Sequence, residues 1–221
     1  MSDAARREPD RELTDRLRLM VLTDPTPTCR RPLLEVVAEC VEAGATAIQL
    51  RDKTASAAEL YETARRLSPI VRAGNALLIV NDRFDVALAS GADGVHLGPD
   101  DLPVTSVRSA APGDFVIGAS TDDPERGRRL AAEGADYLGI GAVFGTRSKP
   151  GLENEAIGPD RVGEVISAAG IPGVGIGGIT SDNAEEVLRT GAGIAVLGAV
   201  MHAADPARAV RELRSIMEAV C

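Results

Sequence analysis

Residues 44–53 read Gly44-Ala45-Thr46-Ala47-Ile48-Gln49-Leu50-Arg51-Asp52-Lys53: a glycine suited to ending a helix, a short apolar run, then a polar cluster carrying two cations. The same order of events recurs down the chain. Gly-Ala pairs also stand at Gly91-Ala92, Gly134-Ala135 and Gly191-Ala192, each closing a helix just before a strand, where a glycine can adopt positive φ. Apolar, β-branched runs recur at Leu17–Leu22, Ala47–Leu50, Ala76–Val80, Gly94–Leu97, Phe115–Gly118, Tyr137–Val143, Gly173–Ile176 and Ile194–Leu197. Between them lie stretches of helical spacing, such as Ala57-Leu60-Ala64-Leu67-Ile70-Val71 and Val162-Val165-Ile166. Strand then helix, eight times, predicts an α/β fold, a single-domain (β/α)8 TIM barrel.

A chain of 221 residues, 44% apolar and 26% charged, matches one such domain. The barrel is expected over residues 17–221. Residues 1–16, rich in Arg, Asp and Glu, are expected to form a disordered lead-in. No stretch approaches the roughly 20 apolar residues of a membrane-spanning helix, and the charged N-terminus lacks the apolar core of a signal peptide. A soluble, cytoplasmic protein is the expectation.

Composition also narrows the chemistry. Cys29, Cys40 and Cys221 are odd in number and share no CxxC spacing, which argues for reduced, non-catalytic thiols rather than disulfides or a zinc cluster. With only His96 and His202 present, a histidine metal site is disfavoured. His96 falls inside the fourth strand and reads as a core residue or a support behind the site; His202 reads as surface. A net charge of −9 and the lack of any Trp disfavour nucleic acid, which demands a basic surface and aromatic platforms. Cations near a site are therefore set against the general trend.

A ring of parallel strands gathers all its carboxyl ends on one face, so residues from distant parts of the chain converge there. After the second strand, Gln49, Arg51 and Lys53 alternate and point to one side of the extended backbone; a solvated loop or an ion pair is the plain alternative. The third strand ends in Asn81-Asp82-Arg83, and the fourth leads to Asp100-Asp101. Asp82 and Asp101 on neighbouring strand ends can share a hard cation such as magnesium, or Asp101 can cap a helix near Pro103. Ser120 and Thr121 after the fifth strand can donate to phosphate oxygens or cap the next helix. The polar segment Gly145-Thr146-Arg147-Ser148-Lys149-Pro150-Gly151 after the sixth reads as a lid over an anion or as an ordinary loop. Gly177, Gly178 and Gly198, after the seventh and eighth, leave backbone amides open where barrel enzymes commonly cradle phosphate. Cations and paired carboxylates at one opening suit a magnesium-bound diphosphate.

These residues carry a resemblance. Gln49-Leu50-Arg51-Asp52-Lys53, Val80-Asn81-Asp82-Arg83, Ala92-Asp93-Gly94-Val95-His96-Leu97-Gly98 through Asp101, Ile117-Gly118-Ala119-Ser120, Gly141-Ala142-Val143-Phe144 with Thr146-Arg147-Ser148-Lys149, and Ile176-Gly177-Gly178-Ile179 resemble, in order and spacing, the motifs of the thiamine-phosphate synthases, from residue 17 to about 217. The resemblance implies a magnesium-dependent transferase of thiamine biosynthesis. It would join hydroxymethylpyrimidine diphosphate to a thiazole phosphate and release pyrophosphate. By position, Gln49, Leu50, Arg51, Asp52, Lys53 and Asn81 would bind the pyrimidine diphosphate, and Asp82 and Asp101 the metal. Ser120 and Lys149 would hold the leaving pyrophosphate, and Arg51 and Lys53 would act with them in catalysis. Thr146, Arg147, Ser148, Gly178, Leu197 and Gly198 would seat the thiazole phosphate.

The chain departs from the family pattern at Gly198, commonly Ser, at Asp122, often His, at Ser148, usually a second Thr, and at Gly145, usually Pro. The first departure removes a hydroxyl donor, leaving backbone amides to serve. Two other functions share parts of this inventory: a thiazole tautomerase, which would not need Asp82, Asp101, Arg51 and Lys53 together, and a non-catalytic barrel that binds a phosphorylated ligand. The partners expected are small phosphorylated molecules, not nucleic acid or membrane; a homo-oligomer is left open.

Overall fold

The computed structural model describes residues 11–24, 31–145 and 156–220. Its strands are β1 (Leu19–Leu22), β2 (Ala47–Leu50), β3 (Leu77–Asn81), β4 (Gly94–Leu97), β5 (Val116–Ser120), β6 (Tyr137–Ile140), β7 (Gly173–Ile176) and β8 (Gly193–Val196). All neighbours are parallel, and β8 pairs with β1 to close the barrel. The helices are α1 (Arg11–Arg16), α2 (Leu33–Glu42), α3 (Ala57–Ala73), α4 (Phe84–Ser90), α5 (Val104–Ala110), α6 (Pro124–Glu133), α7 (Gly158–Ala169), α8 (Ala184–Leu188), α9 (Gly198–Met201) and α10 (Pro206–Val220). The expected α/β barrel is the observed fold.

Alternation along each strand divides the apolar residues between two cores. In β2, Ile48 and Leu50 face outward into a large layer shared with the helices, while Ala47 faces inward. In β3, Leu78 and Val80 go out, whereas Leu77 and Ile79 go in. The inner core, with Met20, Leu22, Tyr137, Val174 and Ala195, lies inside the barrel. The outer one is far larger and draws on Leu60, Ala64, Leu67 and Val71 of α3 and on Val210, Leu213 and Met217 of α10. Each large side chain buried there stabilises the fold by ~1.5–3 kcal/mol relative to exposure, so the outer layer carries most of the hydrophobic drive.

The glycine of each of these four helix-ending Gly-Ala pairs has positive φ, 107° at Gly44, 69° at Gly91, 106° at Gly134 and 86° at Gly191, the left-handed conformation that ends a helix and that a β-carbon would resist. The residue after each pair adds a second device. Thr46 Oγ1 accepts from the Leu19 amide at 2.9 Å, Asp93 Oδ2 from Leu78 at 2.8 Å and Asp136 Oδ2 from Ile117 at 2.7 Å. Each polar side chain thus holds the start of the preceding strand. In the fourth repeat the place is taken by Gly193, where a β-carbon would come within 2.3 Å of the Leu17 carbonyl oxygen. These clasps lie at the amino ends of the strands, the face of a barrel that serves stability.

The structure corrects the reading of the chain's beginning. Residues 11–16, assigned by sequence to a disordered lead-in, form α1, and the chain then turns into β1 through a hydrogen bond from the Leu17 amide to the Leu13 carbonyl at 3.0 Å. Leu13 and Leu17, four residues apart on one helical face, both pack against the inner core, which is what orders the segment. The charged residues between them conceal that pair. β1 accordingly starts at Leu19 rather than Leu17. β6 stops at Ile140, short of the expected Val143, because the chain beyond it instead gives the Val143 and Phe144 amides to the carbonyls of Ile176 and Gly177.

Candidate active site at the barrel mouth

A cavity of about 800 Å³ opens at the carboxyl ends of the strands. Gln49, Arg51, Lys53, Asn81, Asp82, Asp101, Ser120, Gly178, Leu197 and Gly198 all line it, so residues from six βα units are gathered on one space. Two others named from sequence do not line it. Leu50 points into the outer core and is 1% exposed, so only its backbone is near the mouth. Asp52 folds back on its own loop, where Oδ1 accepts from the Thr54 amide and hydroxyl at 2.8 Å and from the Ala55 amide at 3.0 Å. Thr146, Arg147, Ser148 and Lys149 lie outside the described residues, as do Cys29 and Cys221.

Arg51 is positioned by a residue that sequence reasoning missed. Thr23, buried after β1, accepts from the Arg51 amide at 2.9 Å and donates to the Arg51 carbonyl at 3.1 Å, while its own amide binds the Gln49 carbonyl at 2.9 Å. This clasp extends the β1–β2 pairing past the strand ends and fixes where the cation leaves the backbone. A lone Thr after an apolar run gives no sequence signal of that kind.

Asp82 ends β3 with φ of 63°, a left-handed conformation that aspartate tolerates better than most residues. Its amide donates to the His96 carbonyl at 2.8 Å, which ties it to β4. Asp101 is held by the loop after β4, its Oδ2 accepting from the Gly98 amide at 2.6 Å. It does not cap a helix, since α5 starts after Pro103 without a side-chain cap. The two carboxyl groups are close enough for Asp101 to act on Asp82. Burial, then the hydrogen bond and charge of Asp101, push the Asp82 carboxyl up to about 6, against the opposing pull of Lys53 and Arg51.

A half-buried carboxyl beside a second one is a costly arrangement that a divalent cation relieves. Among the described residues no cluster of three or more His, Cys, Asp or Glu side chains could enclose a metal. That donor set suits magnesium, which keeps several waters and takes one or two carboxylates together with substrate phosphate oxygens.

Ser120 likewise caps nothing; Asp123 is the cap of α6 and accepts from the Arg126 amide at 2.6 Å. The Ser120 hydroxyl is instead 2.9 Å from His96 Nε2, and His96 Nδ1 is 2.9 Å from the Tyr137 hydroxyl. His96 is thus a buried support behind the site with both ring nitrogens engaged. Burial lowers its pKa to about 4, against the charge of Asp101, and the ring is neutral at pH 7. His202 is partly exposed and pairs with Asp24 at 3.2 Å. Cys40 is buried, and burial pushes its thiol up to about 12, which leaves it protonated and inert.

Opposite the acidic pair the wall is backbone. At Gly178 a β-carbon would lie 2.6 Å from the Gly145 carbonyl oxygen, so the β7 and β6 loops meet there too closely for any side chain. Gly198 opens the short helix α9. A β-carbon there would meet nothing nearer than His202 Nδ1 at 3.5 Å.

The comparisons with known proteins bear on this geometry. The family model for thiamine monophosphate synthase matches residues 19–200. The chain is 46% identical over 209 residues to the thiamine-phosphate synthase of Pyrococcus furiosus, covering 94% of this chain and 98% of that one. It is 45% identical over 201 residues to the corresponding protein of Haloarcula marismortui, covering 90% and 95%. The chain belongs to the thiamine monophosphate synthase family. The structure of the thiamine phosphate pyrophosphorylase from P. furiosus superposes with a TM-score of 0.86 at 45% identity, covering 94% of this chain and 98% of that chain. A 3-hexulose-6-phosphate synthase, 21% identical with a TM-score of 0.63, shares the fold. Among the described residues no helix is long and apolar enough to cross a membrane.

Proposed function

We propose that this family member is a thiamine-phosphate synthase that joins hydroxymethylpyrimidine diphosphate to a thiazole phosphate and releases pyrophosphate, with magnesium as cofactor. The observation that carries the reading is the convergence of Arg51 and Lys53 with the carboxyl pair Asp82 and Asp101 on one cavity. Family membership across residues 19–200 supports it.

In this reaction the bond between the pyrimidine methylene carbon and the diphosphate oxygen breaks, and the thiazole nitrogen attacks that carbon with its lone pair. The electron-rich pyrimidine stabilises the cation left behind, so no strong general base is required. The neutral, enclosed His96 is consistent with that. What the protein must supply is neutralisation of the departing charge and alignment of the two substrates. Arg51 and Lys53 neutralise the diphosphate oxygens, Ser120 donates to them, and Lys149 is assigned to the leaving pyrophosphate. Magnesium held by Asp82 and Asp101 would supply charge compensation at the diphosphate.

Gln49 and Asn81, at the inward ends of β2 and β3, orient the pyrimidine. The backbone of Gly178, Leu197 and Gly198, together with Thr146, Arg147 and Ser148, seats the thiazole phosphate. Removal of one donor to the developing charge typically costs ~3 kcal/mol of barrier. The test is a coupled pyrophosphate assay with both substrates and magnesium. Release that requires all three supports the synthase. Turnover of a thiazole carboxylate phosphate alone would favour a tautomerase, and binding without turnover a regulatory barrel.

A further inference from the structure

We infer that Tyr137 and His96 act as a positioning relay that fixes the direction of the Ser120 hydroxyl, so that its hydrogen points into the cavity and is offered only to acceptor oxygens. The inference rests on the proposed role of Ser120 at the leaving diphosphate and extends it to two residues that touch no substrate.

The relay follows from counting protons along the chain of contacts. The Tyr137 ring is fully buried inside the barrel. A buried phenol must place its own hydrogen on an acceptor. His96 Nδ1, 2.9 Å away, is that acceptor. A neutral imidazole carries one proton, which then resides on Nε2. Nε2 donates to Ser120 Oγ across 2.9 Å. Since the serine oxygen is an acceptor in that bond, its hydrogen is directed away from the ring, toward the cavity that both residues line.

The strands give up side chains to make room for this arrangement. A β-carbon at Gly118 would lie 2.2 Å from Tyr137 Cζ, and one at Gly139 would lie 2.7 Å from His96 Cε1. Both glycines occupy inward positions of β5 and β6 that would otherwise fill the barrel, and the space goes to two rings with centroids 5.4 Å apart. A serine left free to rotate could accept a hydrogen bond as readily as donate one. A serine driven by Nε2–H favours anionic phosphate oxygens over any ligand that brings a donor to that spot.

The experiment has two arms. In the first, 15N-histidine NMR of the full wild-type chain reads the tautomer; with only two histidines, a His202→Gln variant assigns the signals. A protonated Nε2 with an unprotonated Nδ1 on His96 is expected, and the opposite tautomer overturns the relay whatever the protein catalyses. In the second, pyrophosphate release is measured for Tyr137→Phe, Ser120→Ala and the double variant. Loss of support behind an active group typically costs ~10-fold or more. Tyr137→Phe should therefore lower kcat about ten-fold with little change in KM for the thiazole phosphate, and the double variant should be no worse than Ser120→Ala alone. Losses that multiply in the double variant would show that Tyr137 acts elsewhere. Wild-type protein that releases no pyrophosphate would sink the proposed function and leave the NMR result to decide the relay.

Discussion

The carboxyl group of Asp82, just past β3, is pushed up by that of Asp101, past β4, although each is anchored separately, Asp82 through its backbone to His96 and Asp101 through Oδ2 to Gly98. Neither anchor would relax if the partner were lost. Asp82→Ala should therefore leave the mouth in shape while removing half of the metal's protein ligands. The expected result is loss of magnesium-dependent pyrophosphate release, a drop of ~10²-fold or more. Calorimetric affinity for the thiazole phosphate should be little changed. Near-normal turnover would place the metal elsewhere.

The same pair makes metal binding depend on protons. Asp82 sits at about 6 in the metal-free protein, so below that pH a cation must displace a proton to bind, and above it the site is already open. Apparent magnesium affinity should rise by ~10-fold per pH unit up to about pH 6 and then level off. Titrations between pH 5 and 8 measure this directly. A flat profile would mean that another group holds the ion.

Sequence and structure agree most closely where the signal is periodic or paired. The Gly-Ala repeats mark four helix ends with the expected backbone, and the runs read as β2, β4 and β7 match the strands residue for residue. Polar residues at inward positions of a strand or just past its end, such as Gln49 in β2 and Asp82 after β3, could be assigned to the mouth because the fold sends every carboxyl end there. What stayed hidden depends on partners distant in sequence. Thr23 is informative only once β1 is beside β2. Gly118 and Gly139 read as plain small residues until Tyr137 and His96 are seen to fill their space. Leu50 and Asp52 belong to a continuous motif, yet strand alternation turns Leu50 outward and the Thr54 contacts turn Asp52 back.

Gly198 offers a gain-of-function test. Its surroundings leave room for a side chain, with nothing closer than 3.5 Å to a β-carbon, and its φ is outside the left-handed range that would strain one. Gly198→Ser adds a hydroxyl donor where the thiazole phosphate is proposed to sit. A hydrogen bond to a charged group is worth ~1.5–3 kcal/mol at best. KM for the thiazole phosphate should fall several-fold with kcat nearly unchanged. A rise in KM would indicate that no phosphate lies beside this turn.

Asp93 separates a motif residue from a functional one. It lies in the run Ala92-Asp93-Gly94-Val95-His96, three residues before His96, but at the amino end of β4, where its carboxylate receives the Leu78 amide. Replacing it leaves a strand amide without its acceptor, at a cost of ~1–3 kcal/mol. Asp93→Ala should lower the urea midpoint accordingly and leave kcat/KM for pyrophosphate release intact at temperatures where the variant is folded. Reduced activity with unaltered stability would reverse the assignment.

The neutral His96 should set part of the acid limit of the fold. Its folded pKa, about 4, lies below the unfolded value of 6.5, so the unfolded chain binds the proton more readily. The contribution is fully present above about pH 6.5 and is lost as pH falls toward 4, because protonating the buried ring would leave Nδ1 donating toward a phenol that already donates to it. A displacement of this size corresponds to ~3 kcal/mol across the window, with ~2 kcal/mol of it gone by pH 5. Other carboxylates titrate over the same range, so the informative quantity is the difference between wild type and His96→Gln in urea unfolding at pH 7.5 and pH 5. The variant, with no titrating ring, should be less stable at pH 7.5 and should close most of that gap at pH 5. Parallel pH curves for the two proteins would mean that the imidazole has the same pKa folded as unfolded, so that burial does not hold it neutral at pH 5.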